Sequence, residues 1–192
     1  VYGKAAITEA VKEEFDVSPS TSYSIAKRFN EIYLQALFQE KRFQSVSIRF
    51  FNVYGDNQDT RMVIPRFFEQ ALNNKPLTVY GSGAQTRDFT YIDDVVEAIV
   101  TVSQMVKGCE ILNVSKGSEH TIRNLAEIII DLTNSKSDIK FINLTSNRYD
   151  FEVERRYGSS EKLRTKTGYM PNTSLEVGLK KTYDYMKKKF DF

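Results

Sequence analysis

The stretch SPSTSYSIAKRFNEIYLQALFQEKR, residues 18–42, indicates the fold more clearly than any other part of the sequence. Its serines and proline are typical of a helix start, and apolar residues recur at helical spacing from Tyr23 to about Arg42. We therefore predict a long helix that begins in the region of residues 18–20. Because side chains four residues apart lie on one face of a helix, Tyr23 and Lys27 are expected side by side near its start.

Strands and helices are predicted to alternate after this helix. A β-type run at 45–52 ends at a turn around Tyr54 and Gly55. Further strands are predicted at 77–80, 87–91, 110–114 and 139–144, and further helices at 63–73, 95–106, 121–132, 159–167 and 174–189. Such alternation is typical of an α/β fold with parallel sheet. The strands are few for a complete doubly wound sheet, and no Gly-rich dinucleotide-binding fingerprint follows any of them.

Length and composition exclude several classes of protein. The chain has 192 residues, enough for one domain or one domain with an appendage. A net charge of +2 gives no support to a nucleic-acid partner or a membrane surface. Cys109 is the one cysteine and His120 the one histidine, so we expect neither a disulfide framework nor a metal site. No apolar run approaches the roughly 20 residues of a membrane span, and a cytoplasmic location is expected.

The pair Tyr23 and Lys27 is a candidate for acid–base chemistry. A nearby ammonium group lowers the pKa of a phenol from about 10, which makes a tyrosine usable as a general base near neutral pH. The spacing Tyr-x-x-x-Lys recurs twice within residues 183–189. We interpret those two later pairs as the solvated, lysine-rich end of a helix.

Several further motifs occur in a fixed order around this pair. They are VYG at 1–3, RFFNVYG at 49–55, VIPRF at 63–67, PLTVYG at 76–81 and QTRDFTYIDDV at 85–95. Together with residues 18–27 they resemble the motifs of the extended short-chain dehydrogenase/reductase family, in its branch of NAD-dependent nucleotide-sugar epimerases, dehydratases and decarboxylases. The resemblance runs from Val1 to about residue 180.

This resemblance implies a fold and a division into domains. The chain would be the C-terminal portion of a Rossmann-type doubly wound fold, with the N-terminal Gly-rich half absent, plus a small α/β substrate-binding domain. Residues 1–60 would be the remnant of the NAD-binding domain that carries the Tyr-x-x-x-Lys helix. Residues 61–192 would be mostly the nucleotide-sugar-binding domain, with a strand and helix at about 86–115 that return to the Rossmann sheet.

The resemblance also implies roles for individual residues. Tyr23 would take a proton from a sugar hydroxyl while NAD receives the hydride, Lys27 would hold the nicotinamide ribose, and Phe51 would lie near the nicotinamide. The substrate-binding residues would be Asn52 and Arg87 at the diphosphate, Met62 and Val63 at the nucleotide, Thr78, Val79 and Tyr80 along the base, Arg148 and Asp150 at phosphate and ribose, and Arg156. One residue fewer than usual separates Arg148 from Asp150, and Ser159 stands where the family usually has aspartate.

The function implied is that of a fragment of an NAD-dependent nucleotide-sugar epimerase. A 4,6-dehydratase or a decarboxylase is an alternative within the same family. Because the Gly-rich half is absent, the chain alone is expected to bind NAD poorly and to be inactive. A non-catalytic module that binds nucleotide sugars is a second alternative, and the family resemblance implies a homodimer through the helix from Tyr23 to Arg42.

Local alternatives can be read from residue type alone. Phe51 and Tyr80 could be core aromatics, and Asn52 could simply cap a turn. Arg87 and Asp88 could form a surface ion pair rather than part of a binding site. Asp93 and Asp94 stand at the start of a predicted helix, where acidic side chains suit the positive helix end, and we predict that they cap it.

Overall fold

Strands and helices alternate along the chain, and the α/β class is confirmed. The computed structural model describes residues 1–3, 9–143 and 154–190. Its helices are α1 Ser22–Lys41, α2 Val63–Leu72, α3 Ile92–Met105, α4 Ile122–Thr133, α5 Glu161–Thr167 and α6 Leu175–Phe190. Its strands are β1 Ser45–Phe50, β2 Val53–Tyr54, β3 Leu77–Tyr80, β4 Thr86–Arg87, β5 Thr90–Tyr91, β6 Cys109–Val114, β7 His120–Thr121 and β8 Ile139–Ile142. The run predicted as one strand at 87–91 is divided between β4 and β5.

Parallel pairing dominates the sheet structure. Strand β1 pairs with β6 so that Ser45 lies opposite Cys109 and Phe50 opposite Val114. Strand β3 pairs with β8 and β2 with β5, also in parallel, whereas β4 and β7 are antiparallel. Within the described ranges each of these ladders has two strands. The parallel β1·β6 pair requires a long crossover connection, which the chain from β2 through α3 supplies.

The long helix predicted from residues 18–42 is α1, and its start is fixed by a capping box. The Thr21 side chain accepts a hydrogen bond from the Ser24 backbone N–H at 3.2 Å, and the Ser24 hydroxyl in turn lies 2.9 Å from the Thr21 backbone N–H. The cap is therefore Thr21, one residue beyond the region predicted. The helix ends at Arg42, which adopts a left-handed φ of 57°.

Asp93 and Asp94 lie in the first turn of α3, as predicted, but neither residue caps the helix. The residue at the cap is Tyr91, and no side chain there forms a capping hydrogen bond. Asp94 is buried and instead accepts hydrogen bonds from the backbone N–H groups of Asn172 and Thr173, at 3.2 and 2.9 Å. The carboxylate therefore fastens a distant loop to the start of α3. The presence of an acidic residue at a helix start does not predict such a contact.

Apolar side chains form two separate cores. One lies among α2, β3, α4 and α6, where Phe67, Phe68, Leu77, Leu125 and Ile129 are fully buried. The other lies between β1, β6 and α3. Helix α5 contributes its one buried residue, Leu163, to that second core. The second core thus draws on a segment beyond both 1–60 and 86–115.

Helix α1 differs from the other helices in what it buries. Its one buried side chain is that of Glu31. Ile25, Phe29, Ile32 and Tyr33 are between 51% and 63% exposed, and the rings of Phe29 and Tyr33 stack with centroids 6.1 Å apart. We call these four side chains the apolar face of α1. Across the described parts of the chain, no helix has the length and apolar character needed to cross a membrane.

Candidate active site

A cleft of about 720 Å³ opens between the first turns of α1 and the end of β1. Its wall includes Tyr23, Lys27, Asn30, Arg49, Phe51 and Arg156, and residues 1–3 pass along it. Four of the residues predicted to bind cofactor or substrate, Tyr23, Lys27, Phe51 and Arg156, therefore meet in one place. They come from positions up to 133 apart in the sequence.

Tyr23 and Lys27 stand one helical turn apart on the wall of this cleft. The Lys27 Nζ lies 5.4 Å from the centroid of the Tyr23 ring, and the Tyr23 side chain is 72% exposed. The ammonium is thus held beside the phenol, and the phenol is open to a ligand. This is the arrangement that acid–base use of a tyrosine requires.

One helical turn after Lys27, a buried ion pair joins α1 to β1. Arg49 Nε donates to Glu31 Oε1 at 2.7 Å and Arg49 Nη2 donates to Glu31 Oε2 at 2.8 Å, with both side chains 7% exposed. Arg28 adds a third bond to Glu31 at 2.9 Å. Burial raises the pKa of the Glu31 carboxyl, but the bonds from Arg49 and Arg28 outweigh it, so the pKa lies below its ordinary value. The bidentate geometry fixes the angle between the helix and the strand.

Sequence reasoning did not identify this ion pair. Glu31 follows Tyr23 and Lys27 at the same spacing of four residues, so the three form one polar stripe on α1. Arg49 opens the RFFNVYG motif at the end of the next strand. A polar stripe on a helix together with an arginine in the adjacent strand was the available signal.

The first residues of the chain close one side of the cleft. The Arg49 guanidinium lies 4.6 Å from the centroid of the Tyr2 ring, and the Tyr2 ring is 6.3 Å from that of Phe51. The Tyr2 hydroxyl donates to Asn113 Oδ1 at 2.8 Å, and burial raises the pKa of that phenol. Tyr2 therefore packs against Arg49 and Phe51 at the side of the cleft.

A second group of predicted residues meets at Asp88. The Asp88 backbone N–H donates to the carbonyl oxygen of Arg156 at 3.0 Å, and Asn52 Nδ2 donates to the carbonyl oxygen of Asp88 at 3.1 Å. Asn52 adopts a positive φ of 28°, a conformation that asparagine tolerates better than most residues. The alternative of a surface ion pair between Arg87 and Asp88 is wrong, because Asp88 is completely buried.

The predicted nucleotide end of the site lies on α2 and β3. Gln70 of α2 holds Thr78 twice: its Nε2 donates to Thr78 Oγ1 at 2.9 Å, and its Oε1 accepts from the Thr78 backbone N–H at 3.1 Å. The Arg66 guanidinium lies 5.4 Å from the centroid of the Tyr80 ring. Val79 is fully buried in the core, so a ligand could reach it through its backbone and not its side chain.

The remaining predicted residues differ in how far the structure describes them. Met62 is 52% exposed at the start of α2, and Val63 beside it is half-buried. Arg148 and Asp150 lie outside the described residues. Within the described ranges, no group of three or more His, Cys, Asp and Glu side chains could hold a metal ion.

An exposed Tyr-x-x-x-Lys pair at the start of a helix, beside the end of a parallel strand, agrees with the resemblance of the sequence to the short-chain dehydrogenase/reductase class. The comparisons with known proteins agree with that class. The chain belongs to the NAD dependent epimerase/dehydratase family, whose profile matches residues 1–115. Its curated relatives include dehydratases, decarboxylases and epimerases that act on nucleotide sugars.

Individual relatives are similar over nearly the whole chain. A human dTDP-D-glucose 4,6-dehydratase is 32% identical over 204 residues, which cover 99% of this chain and 55% of the relative. The structure of UDP-glucose 4-epimerase from Thermotoga maritima with UDP-glucose superposes with a TM-score of 0.91 at 28% identity, covering 98% of this chain and 60% of that one. UDP-glucuronic acid 4-epimerase from Bacillus cereus, in complex with UDP-glucuronic acid and NAD, gives 0.88 at 29% identity, covering 99% and 59%. The chain thus spans little more than half the length of these relatives.

Proposed function

We propose that this chain supplies the tyrosine base and the nucleotide-sugar-binding residues of an NAD-dependent nucleotide-sugar epimerase. The observation that carries the proposal is the position of Tyr23 and Lys27 in one cleft with Phe51 and Arg156. Residues 1–60 would form the NAD-binding side, and residues 61–192, apart from 86–115, would form the substrate domain. A cytoplasmic location stays a prediction of the sequence.

The residues of the cleft fit the nicotinamide end of NAD. Phe51 lines the cleft but is only 4% exposed, whereas Lys27, Asn30 and the Tyr23 hydroxyl offer the donors that a ribose accepts. The sequence has no Gly-rich turn for the pyrophosphate. The chain alone is therefore proposed to bind NAD weakly and to lack turnover.

The chemistry proposed for this site is the movement of one proton at the Tyr23 oxygen. NAD, when bound, supplies the acceptor and later the donor of a hydride. Tyr23, with the ammonium of Lys27 beside its ring, removes the proton of a sugar hydroxyl, and the carbon that carried it becomes a ketone. Tyr23 returns the proton when the ketone is reduced again, and reduction on the opposite face inverts that carbon.

The substrate would extend from this cleft toward β3. The Arg156 backbone and the Asn52 side chain bond to the backbone of Asp88, and Arg87 precedes Asp88 in the chain. The guanidinium groups of the two arginines suit the oxygens of a diphosphate. Beyond them, Thr78 and Tyr80 would contact the base and Met62 and Val63 the nucleotide. Arg148 and Asp150 are proposed to complete the phosphate and ribose contacts, a role carried over from the family resemblance alone.

Two measurements test this proposal. Titration calorimetry of UDP-glucose into the chain is expected to give micromolar binding, whereas NAD should give little heat. For the full-length protein that carries this chain, NMR analysis of products from UDP-glucose, dTDP-glucose and UDP-glucuronate separates the reactions. An inverted hexose indicates an epimerase, a 4-keto-6-deoxy sugar a dehydratase, and a pentose a decarboxylase. Binding of a nucleotide sugar by that protein with no product from any substrate would favour the non-catalytic binding module.

A homodimer through α1 is part of the proposal. The apolar face of α1 is more than half exposed, and burial of such a stripe against a second copy would remove it from water. Sedimentation velocity is expected to show a dimer that Phe29→Lys dissociates. Gln35→Lys adds the same charge at another exposed position of α1 and should leave the dimer intact. A monomeric wild-type protein at high micromolar concentration would contradict this part.

A further inference from the structure

Asp88 connects the backbone segments that carry the three polar residues of the proposed diphosphate site. Arg87 precedes it directly in the chain. The Asp88 backbone N–H donates to the Arg156 carbonyl oxygen at 3.0 Å, and the Asp88 carbonyl oxygen accepts from Asn52 Nδ2 at 3.1 Å. Asp88 is completely buried, so it cannot touch a ligand itself.

The Asp88 carboxylate makes a second set of connections. Its Oδ2 accepts hydrogen bonds from the backbone N–H of Gly117 at 3.0 Å and of Gly158 at 3.1 Å. Its Oδ1 is buried and has no hydrogen-bond partner among the described residues. Burial raises the pKa of this carboxyl to about 6, against the opposing effect of the backbone bonds and of the nearby Lys116. A buried carboxylate with one unsatisfied oxygen costs free energy.

The bond to Gly158 links this carboxylate to the cleft. A Cβ at residue 158 would come within 2.6 Å of the Phe51 ring and 2.8 Å of Ser115 Oγ. The Gly158 backbone therefore packs directly on the Phe51 ring. Gly158 lies two residues after Arg156. A shift of the Gly158 backbone would move Arg156 and disturb the Phe51 contact together.

We propose that Asp88 is a positioning residue: its carboxylate holds Gly158, and with it Arg156, in the arrangement in which Arg156, Arg87 and Asn52 bind the diphosphate of the substrate. The inference rests on the proposed nucleotide-sugar binding and extends it to a residue outside the binding surface. Side-chain deletion at 88 would leave the buried N–H of Gly158 without its acceptor, so that segment would have to move, and the exposed Gly117 would lose its bond as well.

Asp94 provides a matched control for a role in stability alone. It is also a buried carboxylate, 5% exposed, and it accepts from the backbone N–H groups of Asn172 and Thr173 and from the Thr173 hydroxyl at 2.8 Å. None of these partners belongs to the proposed substrate site. Deletion of either carboxylate removes the acceptor of two backbone bonds, but only deletion of Asp88 acts on the arginines.

The test is the affinity of the chain for UDP, measured by titration calorimetry on four proteins. Asp88→Ala is expected to weaken binding about tenfold or more, the effect of a lost charge-assisted contact. Asp88→Asn keeps an acceptor oxygen for both glycine N–H groups and should stay within about threefold of wild type. Asp94→Ala should lower the melting temperature about as much as Asp88→Ala, yet bind UDP within about threefold of wild type.

Two results would overturn the proposal: equal losses of affinity in Asp88→Ala and Asp94→Ala, or wild-type affinity in Asp88→Ala. If the wild-type chain binds no UDP, the proposed function fails, and the positioning role is decided by NMR without ligand. The Nε–Hε signals of Arg87 and Arg156 should then shift or broaden in Asp88→Ala and stay in place in Asp88→Asn and Asp94→Ala. Unchanged arginine signals in Asp88→Ala would reject the positioning role.

Discussion

Helix α1 and the helices of the α2–β3–α4–α6 core are held in place by different means. In the α2–β3–α4–α6 region, apolar packing buries Phe67, Phe68 and Leu125 completely. Helix α1 lies against β1 with one buried side chain, and that side chain is Glu31 in an ion pair with Arg49. The first region is stabilised by the hydrophobic effect, which favours removal of apolar side chains from water and so leaves no cleft between them. The second region keeps a cleft open beside Tyr23 and depends on directed bonds. The residues proposed to react therefore lie on the less densely packed side, where a ligand has room.

The largest loss of stability is expected from a substitution in the α2–β3–α4–α6 region. Phe67→Ala should cost about 3–5 kcal/mol of unfolding free energy, because it leaves a cavity in a fully packed core. Phe29→Ala, on the exposed face of α1, should cost less than about 1 kcal/mol in a monomeric sample. Urea denaturation followed by circular dichroism measures both. Similar losses for the two variants would contradict the contrast between the regions.

Removal of one partner of the buried ion pair should affect α1 more than the rest of the chain. Glu31→Gln leaves the Arg49 guanidinium buried and short of a counter-charge, at a cost of about 3–5 kcal/mol. Hydrogen exchange should become faster in α1 while α2 and α4 keep their protection. Glu31→Leu with Arg49→Met removes both charges and should restore most of the loss. Uniformly faster exchange in all helices would show that α1 is not a separate unit.

The free energy of unfolding should depend on pH through the titration of the Asp88 carboxyl. This carboxyl has a pKa near 3.8 when unfolded and about 6 when folded, so the folded chain binds the proton more tightly. The resulting stabilisation is full below pH 4 and is lost as pH rises through 6, by at most about 3 kcal/mol. Asp88→Asn should lose this dependence and be more stable than wild type at pH 7.5. Urea titrations at pH 4.5 and 7.5 give the unfolding free energy of wild type and Asp88→Asn. The same change between the two pH values in both proteins would contradict the expectation.

The smallest effect is expected from the outer wall of the cleft. Tyr23→Phe removes one hydroxyl from a side chain that is 72% exposed, so the unfolding free energy should change by less than about 0.5 kcal/mol. The same urea titration measures it. A loss above about 1 kcal/mol would mean that the hydroxyl has a structural partner and is not free for chemistry.

Local patterns were sufficient for the elements and for the Tyr23/Lys27 pair. Helical spacing and turn residues are properties of neighbouring residues, so α1 and β3 appear where they were predicted. The Glu31–Arg49 bond joins positions 18 apart, and the Asp88–Gly158 bond joins positions 70 apart. Those contacts depend on how elements pack, and no local pattern contains that information. The same reason explains Asp94, whose partners lie almost 80 residues further along the chain.

The turnover of UDP-glucose by the full-length protein that carries this chain tests the central claim most directly. Tyr23→Phe and Tyr185→Phe each remove one phenol from a Tyr-x-x-x-Lys pair, and in the second pair the Tyr185 hydroxyl donates to Asn57 Oδ1 at 2.6 Å. We predict that Tyr23→Phe lowers kcat by about a hundredfold or more, as loss of a general base does, while Tyr185→Phe keeps wild-type turnover. Equal turnover in the two variants would contradict the assignment of Tyr23 as the base.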